Sequence, residues 1–179
     1  MTRVPVHTVP SAPEASRDTL KALEAQMGKV LNIHGAMAHS PVVLDVYASL
    51  QHSIGELGTF DGKTREAIAL TVAAVDQCAY CSAAHTAGGK AAGWTEQETL
   101  DIRRGTSSDP KLQALLTVVR EQISNVGQVQ DASWQAALDA GWSDTELAES
   151  TVHVALNYFT NIFNHSVQTD LDLPAAPAL

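Results

Sequence analysis

Residues 64–94 read TREAIALTVAAVDQCAYCSAAHTAGGKAAGW, and this stretch decides the fold. From Thr64 to Asp76 the chain is rich in Ala, Leu, Ile and Val, with Arg65, Glu66 and Asp76 its only charged residues. A segment that is apolar on nearly every side predicts a buried helix. A second helix starts near Cys78 and runs to Gly93. No segment, here or elsewhere, alternates polar and apolar residues between Gly/Asn turn pairs, so no β-hairpin is expected. The fold class is all-α.

Outward from this pair, the remaining segments also carry helical signals. Ser16 to Gly28 places Leu20, Leu23 and Met27 at helical spacing, with Ser16 as the expected cap and Gly28 as a left-handed stop. A short piece over Asn32 to His39 leads to Ser40-Pro41, a cap residue with Pro in the first helical position. Val43, Leu44, Tyr47, Leu50 and Ile54 follow on one face until Gly55 and Gly58, which are expected to break that helix. Beyond the central pair, Thr95 to Gly105 pairs Thr95 with Glu98 as a capping box. Asp109 to Gly127, Asp131 to Ala140 and Ser143 to His165 complete the set. Before all of these, residues 1–15 are Pro-rich and aperiodic, and are expected to run extended over the surface or a neighbouring subunit. Residues 16–179 then form one domain whose cysteine-bearing core spans about residues 40–105.

Composition supports that reading and excludes some functions. A chain of 179 residues can bury a hydrophobic core without disulfide staples. Apolar residues make up 45% and charged ones 17%, a globular rather than a disordered balance. The net charge of −9 and the absence of any Lys/Arg cluster argue against nucleic acid or an anionic membrane as partner. No apolar run approaches the ~20 residues of a membrane span, and the first residues lack the apolar stretch of a signal peptide. The expected location is cytoplasmic, where a Cys-x-x-Cys pair is more often catalytic or metal-binding than a structural staple.

The two cysteines of the chain form that pair. In C78-A-Y-C-S-A-A-H85 the residues stand at i, i+3 and i+7, so on a helix Cys78, Cys81 and His85 share a face. Near the helix N-terminus, unsatisfied N–H groups and the macrodipole favour a thiolate. If helices 64–76 and 78–93 fold back on each other, Glu66 comes level with His85 to Gly89, where it can orient the imidazole or exchange a proton with it. Gly88 and Gly89 interrupt a good helix sequence at that level, which lets two backbones approach. Taken singly, each residue has an ordinary structural explanation: a buried Cys, a core His, a first-turn Glu. Together they favour redox chemistry.

Other readings fit less well. A structural zinc needs four ligands, and this segment has two thiolates and a distant His, so His34, His39, His153 or His165 would have to complete the set. Haem attachment requires His directly after the second Cys, where Ser82 stands. The remaining histidines, including His52, read as core, cap or surface residues, and Trp94, Trp134 and Trp142 as packing anchors. Glu149 precedes Asn161 and Asn164 by the distances at which Glu66 precedes Cys78 and Cys81. That pattern reads either as an internal duplication without thiols in the second copy, or as two unrelated Ala-rich helices.

The pattern E66-x11-C-A-Y-C-x3-H85 resembles the motif of the AhpD-like alkylhydroperoxidases of the carboxymuconolactone decarboxylase superfamily. The resemblance extends from about Asn32 through AHSP at 38–41 and AGW at 92–94 to N157-Y-F-T-N-I-F-N-H165. It implies an AhpD-like helical fold and thiol-dependent reduction of a hydroperoxide. In that scheme Cys81 is the peroxidatic thiol, Cys78 the resolving thiol, and Glu66 with His85 the proton relay. It further implies no bound cofactor or metal, a dithiol or reductase protein as electron source, and a trimer or hexamer. Tyr80 stands where some relatives have a second His, so a relay step through that position is open. Two other functions compete: the lactone decarboxylation of the superfamily, which does not need the thiols, and a redox sensor or interaction module without turnover.

Overall fold

A computed structural model describes residues 1–179 as nine α-helices with no strand. They are α1 (Glu14–Met27), α2 (Asn32–Met37), α3 (Pro41–Leu57), α4 (Gly62–Val75), α5 (Ala79–Ala91), α6 (Glu96–Arg104), α7 (Pro110–Ser124), α8 (Asp131–Asp139) and α9 (Asp144–Val167). The all-α expectation is borne out. No helix is long and apolar enough to cross a membrane.

The helix read as buried is the axis of the molecule. Every residue of α4 from Ala67 to Ala73 is buried, and α5, α6, α7 and α9 all pack on it. On one flank, Ile68 and Val72 meet Leu115, Val118, Val119, Trp142 and Leu147 of the C-terminal half. On another, Ala67 and Leu70 meet Ile102, Leu112 and Leu116. The third cluster holds Leu20, Leu23, Leu31, Met37 and Leu44 from α1 to α3 against Cys78, Tyr80 and Cys81. The sulfur pair is therefore built into a hydrophobic core.

Caps fall mostly where short-range chemistry puts them. Asp61 accepts from Thr64 N–H at 2.8 Å, and Thr95/Glu98 and Ser143/Glu146 form capping boxes. Gly28 and Gly105 end α1 and α6 in the left-handed region. Two expectations are corrected. Helix α1 begins at Glu14, and Ser16, inside it, instead donates its buried hydroxyl to the Ala38 carbonyl at 2.8 Å. Gly55 does not break α3, which runs on to Leu57; Gly58 ends it in an extended conformation with its N–H donating to the Ile54 carbonyl, and a Cβ there would meet that oxygen.

The N-terminal segment lies over its own chain. His7 N–H donates to the Gly35 carbonyl and Arg3 N–H to the Val167 carbonyl, with a 3-10 turn over Val9–Ser11. At the other end the chain after α9 has no regular structure. Asp170 caps the N-terminus by binding Thr2, and Asp172 binds Lys29 and Asn32.

An internal repeat is present, in a register different from the Glu149 spacing. Trp94 and Trp142 follow the same Ala-Gly pair, with Gly93 at φ +101° and Gly141 at φ +94°. Trp94 Nε1 donates to the Lys63 carbonyl at 2.9 Å, and Trp142 Nε1 to the Lys111 carbonyl at 2.7 Å. Each lysine then lays its ammonium over the ring it binds, at 3.8 and 4.2 Å. Helices α4–α5–α6 thus correspond to α7–α8–α9. In this register Ala114, Val126, Val129 and Ser133 stand where the first copy has Glu66, Cys78, Cys81 and His85.

Candidate functional site

Helix α4 ends with Gln77 in the left-handed region at φ 55°, while Cys78 N–H reaches back to the Ala73 carbonyl at 2.9 Å. This left-handed C-terminal closure turns the chain at once into α5, so Cys78 becomes the N-cap residue of α5. Its Sγ accepts from the Cys81 N–H at 3.2 Å. The two cysteines are joined as a disulfide with Cα atoms 5.3 Å apart. Both are buried, at 1% and 3% exposure.

One turn along α5 from Cys81, His85 Nδ1 lies 2.9 Å from Glu66 Oε2. An ionised carboxylate only accepts, so Nδ1 carries the proton in this pair and Nε2 is left free for another partner. Both side chains remain about a quarter exposed, at 29% and 27%. Gly88 makes the approach possible, because a Cβ on it would stand 2.7 to 2.8 Å from the Glu66 carboxylate atoms. Gly89 has ordinary clearance, with Trp94 at 3.4 Å nearest.

Helix α9 supplies groups that the sequence reading did not assign. Asn164 donates its Nδ2 to Cys81 Sγ at 3.3 Å. Asn161 Nδ2 donates to Asp76 Oδ2 at 2.8 Å and His165 Nε2 to the Asp76 carbonyl at 2.9 Å, fixing α9 to the turn that presents the cysteines. Asn161 and Asn164, the two positions that the Glu149 spacing singles out, contact the cysteine-bearing turn.

Cys81, His85 and Glu66 open onto one cavity of about 420 Å³, whereas Cys78 does not line it. Its apolar walls include Leu31, Ile33, Ala84 and Leu173, and Tyr47, His34 and Gln51 add to its polar lining. Gln51 Nε2 donates to the Tyr47 oxygen at 3.1 Å, and Tyr47 lies 3.3 Å from His34 Nε2. Burial lowers the His34 pKa to about 4, with Asp172 pulling weakly the other way, so the ring is neutral at pH 7. Burial likewise pushes the Tyr47 hydroxyl up and keeps it a phenol.

Tyr80 is tied to the segment after α9. Its hydroxyl donates to Asp172 at 2.7 Å and accepts from Ile33 N–H at 3.4 Å; burial, then Asp172, raises its pKa. The other histidines are dispersed. His153 faces Glu149 at 3.2 Å, which in turn binds the Thr59 and Phe60 N–H groups; His39 stacks on His7; His52 is exposed. No three His, Cys, Asp or Glu side chains converge in a metal-binding arrangement.

Residues 41–121, which hold Glu66, Cys78, Cys81 and His85, match the carboxymuconolactone decarboxylase family. No curated protein matches by sequence. Among solved structures, an uncharacterized peroxidase-related protein from Ralstonia eutropha JMP134, described as an alkylhydroperoxidase AhpD core, is 19% identical with a TM-score of 0.86, over 96% of this chain and 92% of that one. An uncharacterized peroxidase-related protein from Silicibacter sp. TM1040 is 17% identical with a TM-score of 0.79, over 94% and 91%. The debrominase Bmp8, as a cysteine-to-alanine variant in complex with 2,3,4-tribromopyrrole, is 13% identical with a TM-score of 0.79, over 96% and 92%.

Proposed function

We propose that this chain, with an AhpD-like fold around a carboxymuconolactone decarboxylase family segment, is a thiol-dependent peroxidase that cycles through a Cys78–Cys81 disulfide. The observation that carries the reading is the cavity wall: Cys81 lines it beside His85 and Glu66, while Cys78 sits one turn back, bonded to it. The free Nε2 of His85 takes the proton of the Cys81 thiol, the thiolate attacks one oxygen of R–O–O–H, the O–O bond breaks, and the departing alkoxide takes that proton from Nε2 to leave as alcohol while Glu66 holds Nδ1. The sulfenic acid on Cys81 then condenses with the Cys78 thiol, releasing water and forming the disulfide. An external dithiol supplies two electrons and two protons to restore the thiols. The α5 N-terminus and the Asn164 amide favour the thiolate. No cofactor is required for these steps.

The same thiols could reduce a carbon–halogen bond, the chemistry named for the structurally similar debrominase, and the volume of the cavity admits a ring. Decarboxylation of a lactone acid is the weaker reading, because no Lys or Arg lines the cavity to receive a carboxylate. We place the protein in the cytoplasm and expect a homo-oligomer, for which the exposed Val42, Val46, Tyr158 and Ile162 offer apolar surface.

The test is peroxide consumption by the reduced protein with a dithiol, beside Cys81→Ser and Cys78→Ser, with disulfide formation followed by mass spectrometry. Loss of turnover in Cys81→Ser supports the proposal. Thiols that stay reduced, with no peroxide consumed, overturn it, and 2,3,4-tribromopyrrole in parallel tests the halide reading. A disulfide that forms without turnover would indicate a sensor instead.

A further inference from the structure

We infer that a second cavity, which shares the Glu66–His85 pair with the first, is a water chamber through which protons reach that pair while the Cys81 cavity is occupied, with His153 and Asn157 as the positioning residues that hold its water. Its place in the cycle rests on the peroxidase reading.

The position of the pair is the first ground. Gln51, Glu66, His85 and Asn157 line both the cavity of about 420 Å³ and a second one of about 250 Å³. Helix α5 runs along both: Ala84, Ala87, Gly88 and Ala91 line the first, Ala92 the second, and His85 the two together. Neither cysteine lines the second cavity. Gly62 and Arg65, both exposed, form part of its wall, so solvent has a way in that does not pass the sulfurs.

The polar lining is the second. His153 is 3% exposed, and its Nε2–H faces Glu149, a carboxylate that the Thr59 and Phe60 N–H groups hold as an acceptor. Nδ1 is then a bare acceptor. It has no partner in the protein and keeps accessible surface, as does Asn157 Oδ1, whose amide nitrogen is spent on the His153 carbonyl. Burial lowers the His153 pKa, with Glu149 pulling it up and Arg65 down, so the ring stays neutral and accepting at pH 7. Two fixed acceptors beside a carboxylate and a second imidazole give water the several polar partners that it needs in a confined site.

Reduction of the disulfide makes use of such a route. A dithiol attacks Cys81 Sγ as a thiolate, its proton left in solvent; the S–S bond breaks and Cys78 leaves with the electron pair. The second sulfur of the dithiol closes on the first, and Cys81 leaves in turn, taking a proton from His85 Nε2. With the oxidised reductant still filling the first cavity, water on the other side of the pair is what delivers that proton.

The experiment follows exchange of the His85 Nδ1 proton with water by 15N-edited NMR in the oxidised protein, a reading that needs no turnover. Ala92→Leu fills the second cavity, and Gly62→Leu does so from its rim, where a Cβ meets nothing within 4 Å. Each should slow the exchange about tenfold, or about 1.4 kcal/mol, within the cost of ordering one water. His153→Phe keeps a ring against Phe60 but loses the acceptor and should slow it too, whereas imidazole added to His153→Gly should restore the parent rate. Ala87→Leu, which fills the first cavity instead, should leave the exchange unchanged. Exchange indifferent to Ala92→Leu and Gly62→Leu, or slowed as much by Ala87→Leu, overturns the inference and leaves the peroxidase reading standing. If the parent consumes no peroxide, the peroxidase reading falls and the exchange rates still decide the chamber.

Discussion

His85 Nδ1 and Glu66 Oε2 meet at 2.9 Å across α4 and α5 because residue 88 has no side chain. Gly88→Ala places a methyl group within 2.8 Å of the carboxylate and must displace it. Turnover is expected to fall about 100-fold, the scale of a misplaced reacting group. Alanine is itself the better helix former by about 1 kcal/mol, so the melting temperature should change little. Gly89→Ala, with only ordinary contacts, is the reference and should keep its activity. Steady-state kinetics with thermal melts of both variants decide the matter.

Asn164 should set the acidity of Cys81. Losing an amide donor to a thiolate removes stabilisation on the order of a pKa unit. In reduced Asn164→Ala the Cys81 pKa, read from the pH dependence of iodoacetamide alkylation, is expected to rise by about one unit. An unchanged titration would mean that the contact with Sγ carries no weight in the dithiol form.

The chain beyond α9 should gate access to the disulfide. Asp172 accepts from the Tyr80 hydroxyl, the Asn32 N–H and the Lys29 ammonium, and next to it Leu173 covers part of the cavity. Asp172→Ala removes those acceptors. Reduction of the buried disulfide by dithiothreitol should then be about tenfold faster, as follows from roughly 1.4 kcal/mol less resistance to local opening. Equal reduction rates in the two proteins would argue that the sulfurs are reached by another route.

His34 makes stability depend on pH. Its folded pKa of about 4 lies below the value of 6.5 for a free imidazole, so below pH 6.5 the unfolded chain binds a proton that the folded chain refuses. Stability is therefore full above pH 6.5 and declines as the pH falls toward 4, by up to about 3 kcal/mol from this residue. Urea melts of the parent and His34→Gln at pH 7 and pH 4.5 should show a smaller loss in the variant. The same loss in both would remove His34 as its source.

Much of this architecture was legible because it is local. The Thr95/Glu98 capping box, the Ser40-Pro41 start and the Gly28 stop are written in a few adjacent residues, and the apolar run of α4 announces a helix surrounded by others. Glu66 and His85 could be brought level by counting equal steps from one tight turn. Asn164 could not, since 83 residues separate it from Cys81 and an amide on a long helix has many possible partners. The same holds for Asp172, which joins Tyr80 across 92 residues from a segment with no periodicity to read. Ser16 misled because a good cap residue can also be used as a buried donor to a distant carbonyl. The Glu149 spacing leaves duplication and coincidence open, whereas the repeated Ala-Gly-Trp corners mark a duplication in another register.

The sulfur that caps α5 has a spectroscopic consequence. Cys81 N–H points at Cys78 Sγ, an acceptor that is feeble when bonded to another sulfur and strong when it bears a negative charge. The amide proton of Cys81 is thus a built-in indicator of electron count. Its chemical shift should move when reduction breaks the bond between the sulfurs and leaves Cys78 Sγ free, letting one resonance follow the protein through its cycle without any label on the thiols.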